Sequence, residues 1–122
     1  MIDTQEEKDA VAKVLGWEVA RFPNALYEDV MIAWYTLPLS DKRITTVERF
    51  NPERDPDSSN LLLNGLVAKG WEFRCAVTEI DVRMWSSHCT DTSKHAGSTN
   101  PDAAAAIREC LWDSAKQIAG VK

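Results

Sequence analysis

Residues 71–77 read Trp-Glu-Phe-Arg-Cys-Ala-Val, and after the four residues Thr78-Glu79-Ile80-Asp81 a second alternating run follows, Val82-Arg83-Met84-Trp85-Ser86. A period of two over seven residues is the pattern of a half-buried strand, and a four-residue gap suits an antiparallel hairpin. Trp71, Phe73, Cys75 and Val77 then share one face, while Glu72, Arg74 and Ala76 share the other. A hairpin with one apolar face is not stable alone, so the rest of the chain has to cover it.

Three stretches carry helical spacing suited to that task. Thr4-Gln5-Glu6-Glu7 has the form of a capping box, and Val11, Val14 and Leu15, with Ala12 beside them, follow before Gly16, which predicts a helix over about residues 5–15. Asp55-Pro56-Asp57 supplies a cap, a proline suited to the first turn and an acid at the positive end of the dipole. A second helix is expected there, over about 56–69, burying Leu62, Leu63, Leu66 and Val67 and closing at Gly70. Asn100-Pro101-Asp102 repeats the arrangement and predicts a third helix over about 101–119, with Ala103, Ala106, Ile107, Cys110, Leu111, Ser114 and Ile118 along its inner stripe.

Two further runs have strand character. Val30–Leu37 is apolar and ended by Pro38, and Arg43–Val47 is β-branched and follows the polar turn Ser40-Asp41-Lys42, so the two are expected to pair as an irregular hairpin. Thr90–Ser98 is polar and contains glycine, the composition of a loop. The expected fold is therefore α+β: one domain over 1–122, a mainly antiparallel sheet of about four strands and three helices in a helix-sheet-helix (α/β/α) sandwich.

Composition narrows the function. A chain of 122 residues with 44% hydrophobic residues is long enough to fold without disulfides or metal and too apolar to be disordered. Fourteen Lys and Arg against nineteen Asp and Glu leave a net charge of -5, the wrong sign for broad binding to nucleic-acid backbone. The acids are interspersed rather than set in the dense rows expected of a DNA mimic. No apolar run has the length of a membrane span, and Met1–Ala10 is polar and acidic rather than signal-like, so a cytoplasmic protein is expected. Cys75, Cys89 and Cys110 match no disulfide framework and no CxxC pair, which fits reduced thiols.

The pieces resemble a known family. Val11-Ala12-Lys13-Val14-Leu15-Gly16-Trp17 at the end of the first helix, the Phe50-Asn51-Pro52 connector, the leucine-rich helix ending at Gly70, the hairpin, and the closing Pro101-Asp102-Ala103-Ala104-Ala105-Ala106-Ile107 together resemble the phage ABA sandwich domain family. Those are small bacteriophage and prophage proteins of helix-sheet-helix architecture. The resemblance covers most of the chain, with 22–49 longer and richer in strand than the family would suggest, which is consistent with an added hairpin. It implies origin and fold, and carries over no functional residue.

Several side-chain groupings bear on chemistry. His88 and His95 are separated by six residues in sequence, with Cys89 beside His88, a spacing unsuited to a structural zinc site, and Cys75 and Cys110 fall on expected core faces. No metal site and no cofactor are expected. A Cys89 nucleophile would need a base, and His95 is the better candidate, because neighbours on a strand point to opposite faces. Glu48, Glu53, Asp55 and Asp57 cluster, but Asp55 and Asp57 are accounted for by the second helix. The five tryptophans say more: Trp17, Trp71 and Trp112 belong to the core, while Trp85 shares a face with Arg83, and Arg74 falls opposite or diagonal to it. Arg74, Arg83 and Trp85, with Arg108 on the third helix, form the expected binding set, of the type enriched at protein interfaces and able to stack a base and hold a phosphate.

These readings lead to a non-enzymatic phage or prophage accessory protein that acts by binding, countering host defence by blocking a host protein or sequestering a small nucleotide-like ligand. The alternatives are a small hydrolase or nuclease using His88, Cys89 and His95, and a structural phage assembly component. Homo-oligomer formation through an uncovered sheet edge or helix face is expected as well.

Overall fold

In the computed structural model the described residues are 4–27, 29–40, 42–89 and 91–121. The chain forms three helices, α1 (Thr4–Val14), α2 (Pro56–Ala68) and α3 (Ala103–Ile118), and six strands, β1 (Glu18–Pro23), β2 (Met31–Thr36), β3 (Arg43–Thr46), β4 (Glu72–Val77), β5 (Val82–His88) and β6 (Asp91–Ser98). The fold is α+β, and the strands make two three-stranded antiparallel sheets, β1-β2-β3 and β4-β5-β6, in place of one sheet of about four.

Both extra strands come from residues whose local signal is weak. Within segment 90–98, a loop by composition, Asp91–Ser98 forms β6, because pairing with β5 turns Ala96 and Ser98 to the face that α3 covers. Packing overrides low strand propensity there. β1 ends in Pro23, which is tolerated because β1 is an edge strand whose outer N–H groups need no partner. The β2–β3 hairpin is irregular as expected, with a register shift between Tyr35 and Thr36. Asp41 in its turn, Thr90, and the Thr4 side chain of the capping box lie outside the described residues.

The helices start where their caps place them. Asp55 accepts from the Asp57 and Ser58 amides to open α2. At α3 the cap is Asp102, which accepts from the Ala104 and Ala105 amides. Asn100 instead accepts from the Asp102 amide in a turn that precedes the helix, so α3 begins two residues later than the Asn-Pro-Asp pattern suggests.

α3 is the hub, packing on β5, β6, α1 and α2. Lys116 pairs with Glu7 of α1 at 3.3 Å, Glu109 accepts from Ser98 and Asn100, and the Cys110 thiol donates to the Val82 carbonyl at 3.5 Å. The first sheet joins this body through an aromatic cluster. Phe50 sits 5.4 Å from Trp17, 5.5 Å from Tyr35 and 6.3 Å from Trp112, ring centroid to centroid, each edge to face. Cys75, expected in the core, is exposed on the edge strand β4, and Val67, also expected there, is exposed on α2.

The Tyr35 hydroxyl, buried, donates to Asp9 at 3.0 Å. Burial, followed by that bond to a carboxylate, raises the phenol pKa above its ordinary value. Tyr35→Phe is expected to cost about 1 kcal/mol at neutral pH. A raised folded pKa means the contribution is complete below the unfolded tyrosine value of about 10 and is lost as pH climbs past it. Lys8, whose pKa burial lowers, works in the opposite direction, so the difference between wild type and Tyr35→Phe isolates the phenol. In chemical denaturation that difference should shrink above about pH 10; a constant difference contradicts this role.

Candidate functional site

The register of the second sheet sorts its side chains cleanly. Phe73 pairs with Ser86, Cys75 with Met84 and Val77 with Val82, and Ala96 and Ser98 continue those rows on β6. That is the face against α3. On the other face Arg74 lies directly opposite Trp85, and Trp85 directly opposite His95, a single row across three strands. The next row is Ala76, Arg83 and Gly97.

Trp85 is half-buried and meets His95 edge to face at 6.1 Å, while Arg74, Arg83 and His95 are exposed. Arg83 is held by Asp81, Nε to carboxylate at 3.0 Å, and Thr78 donates to the same carboxylate at 2.7 Å. These two bonds, Thr78 before Arg83, lower the Asp81 pKa. The hairpin turn thus fixes one guanidinium at the turn end of the face that carries the indole. A flat face with an aromatic centre and cations at its margin has the make-up of a protein interaction hot spot.

Arg108 does not join this face. It lies on α3, its Nε buried without a partner among the described residues, and its charge acts on Asp55 at the start of α2. The set expected from sequence therefore divides into three residues on the open sheet face and one on the far side of α3. Beside Asp55 lies a cleft of about 470 Å³ lined by Lys8, Asn51, Pro52, Glu53, Arg54, Asp55 and Trp112. Lys8 is buried, its ammonium donating to the Val47 carbonyl at 3.3 Å, and burial lowers its pKa. The sequence gives no sign of this cleft, because Lys8 sits at an ordinary helical position and its burial depends on the connector folding over it.

The thiols and imidazoles are arranged otherwise than expected. His95 lies opposite Trp85 on the open face, edge to face with the indole, and Trp85 is four residues along the chain from Cys89. His88 is closer: the strand ends there, and the Cys89 sulfur comes to 3.6 Å from His88 Nδ1. His88 Nε2 is 2.9 Å from the Lys69 carbonyl, and its ring packs on Trp71 at 5.3 Å. This imidazole ties the end of β5 to the end of α2. Burial raises the Cys110 thiol to about 11, which makes it a poor nucleophile, and partial desolvation raises the Cys75 thiol, exposed though it is, as well. Among the described residues no group of three His, Cys, Asp or Glu side chains is placed to hold a metal ion.

Gly70 makes the His88 contact feasible. Its φ is +95°, and a Cβ there would stand 2.7 Å from His88 Nε2. Gly70→Ala is expected to cost about 1–3 kcal/mol in chemical denaturation, from backbone strain and loss of the His88–Lys69 bond. A change below about 0.5 kcal/mol would show the site to be slack.

No family model, curated protein or solved structure matches this chain.

Proposed function

We propose that this chain is a non-enzymatic binding protein that captures a protein partner on the open face of its second sheet, with Trp85 at the centre and Arg74 and Arg83 beside it. The observation that carries this reading is the cross-strand row Arg74–Trp85–His95, which brings residues from three strands to one exposed surface. Arg74, exposed beside Trp85, offers a guanidinium to a carboxylate on the partner, while Arg83 is already paired with Asp81. The resemblance to the phage ABA sandwich domains supports a phage or prophage accessory role in the bacterial cytoplasm, with host defence as the target. It also carries the helix-sheet-helix layering that we propose for the whole chain.

A second reading has its own support. Sequestration of a small nucleotide-like ligand fits the cleft beside Lys8 and Trp112, whose volume is in the range of small-molecule sites. Arg74→Ala and Arg83→Ala should each weaken a captured protein by about tenfold. A partner bound equally well by both variants, with the far-UV spectrum of each unchanged, overturns the face reading.

A further inference from the structure

We propose that two copies of this chain pair through the free edge of β4, joining their second sheets into one six-stranded antiparallel sheet across a two-fold axis at Cys75. The four sheet edges differ in how they are protected. β1 ends in Pro23, β3 has only four residues, and β6 is polar and places Lys94 opposite Ser86 on the inward face. Prolines, short strands and inward charges are the usual guards against edge pairing. β4 has none of them: it is six residues long, and Cys75 and Val77 are exposed on its inner face, Val77 at 55%.

The backbone fixes which groups are free. The Thr78 amide donates to the Asp81 carbonyl, so 78 and 81 are a hydrogen-bonded pair. Alternation along the ladder then turns the amides and carbonyls of Phe73, Cys75 and Val77 away from β5. Charge and bonding select the register. Centring the two-fold on Arg74 sets that arginine against itself. Centring it on Phe73 calls on Trp71, whose amide is already bonded to the Leu66 carbonyl. Centring it on Cys75 uses all three free residues, sets Phe73 against the partner's Val77 twice, and leaves Arg74 opposite the partner's Ala76. Aromatic and β-branched pairs of this kind stabilise antiparallel sheets.

The neighbourhood suits the same occupant. A groove of about 550 Å³ runs between α2 and β4, lined by Leu63, Val67 and Phe73, with Val67 53% exposed. The partner's Val77, opposite Phe73, is delivered to that groove. β4 holds one acid and one base, so its own charge is zero and two copies meet there without local charge repulsion. This pairing stands apart from whether the open face binds a protein.

Analytical ultracentrifugation of the full chain over a concentration series is the test. A dimer is expected for wild type, and Val77→Lys, which changes an exposed residue, should weaken it by roughly tenfold or more. Opposed Cys75 residues would stand about 5.5 Å apart at Cα, within disulfide range. Mild oxidation of Cys89→Ser should therefore yield a covalent dimer that the further change Cys75→Ser abolishes. A monomeric wild type, a dimer unaffected by Val77→Lys, or an oxidised sample with no Cys75 link would each overturn the proposal.

Discussion

Phe50→Ala is expected to destabilise the protein by about 3–5 kcal/mol, the usual cost of emptying a buried phenylalanine site. Phe50 has no exposed surface, and its ring is the only one in contact with Trp17, Tyr35 and Trp112 together among the described residues. Those three rings come from the turn after α1, from β2 and from α3, so the cavity would open where the first sheet meets the helical body. A domain of this size has a total stability on the order of 5–15 kcal/mol, so the variant should be close to unfolding at physiological temperature. Urea denaturation gives the magnitude, and near-UV dichroism should lose the aromatic signal first. A loss within about 0.5 kcal/mol, the scale of an ordinary surface change, would show that the cluster does not hold the halves together.

The Phe50 contacts also mark where the sequence stops being informative. Helical spacing and caps disclose α1, α2 and α3 to within about two residues, because the apolar stripe and the capping side chains are local signals. The β4–β5 hairpin is equally legible from its alternation. β6 is not, since Lys94, His95 and Gly97 have little preference for strand and the segment becomes one only when β5 supplies its ladder. The missed strand has a direct cost for the site: Arg74 opposite Trp85 follows from the hairpin alone, but His95 enters the row only through β6. The same limit applies to Arg108, whose residue type suggests the binding set although α3 carries it to the other side of the sheet. Cys89 and His88 meet because the strand ends between them, an event that alternation cannot foresee.

Trp85→Ala should have the largest effect on function. A central interface tryptophan is typically worth 2 kcal/mol or more on truncation, about thirtyfold in affinity. The indole is half-buried between Arg74 and His95, so removing it takes away the apolar centre and the ring that His95 packs against. The fold should survive, because the opposite face of β5 retains Val82, Met84 and Ser86 beneath α3. A circular-dichroism spectrum matching wild type alongside lost capture is the expected combination. Capture retained within about threefold would leave Trp85 a structural residue of the sheet.

The central claim, a protein partner held on that open face, is tested most directly by native mass spectrometry of the chain purified from a bacterial host, with wild type, Trp85→Ala and the exposed α1 variant Lys13→Ala prepared in parallel, and each sample then denatured. The expected result is a defined additional protein mass on wild type and on Lys13→Ala, released on denaturation and missing from Trp85→Ala. The contradicting result is a bound mass that persists in Trp85→Ala, or a released small molecule with no protein on any of the three.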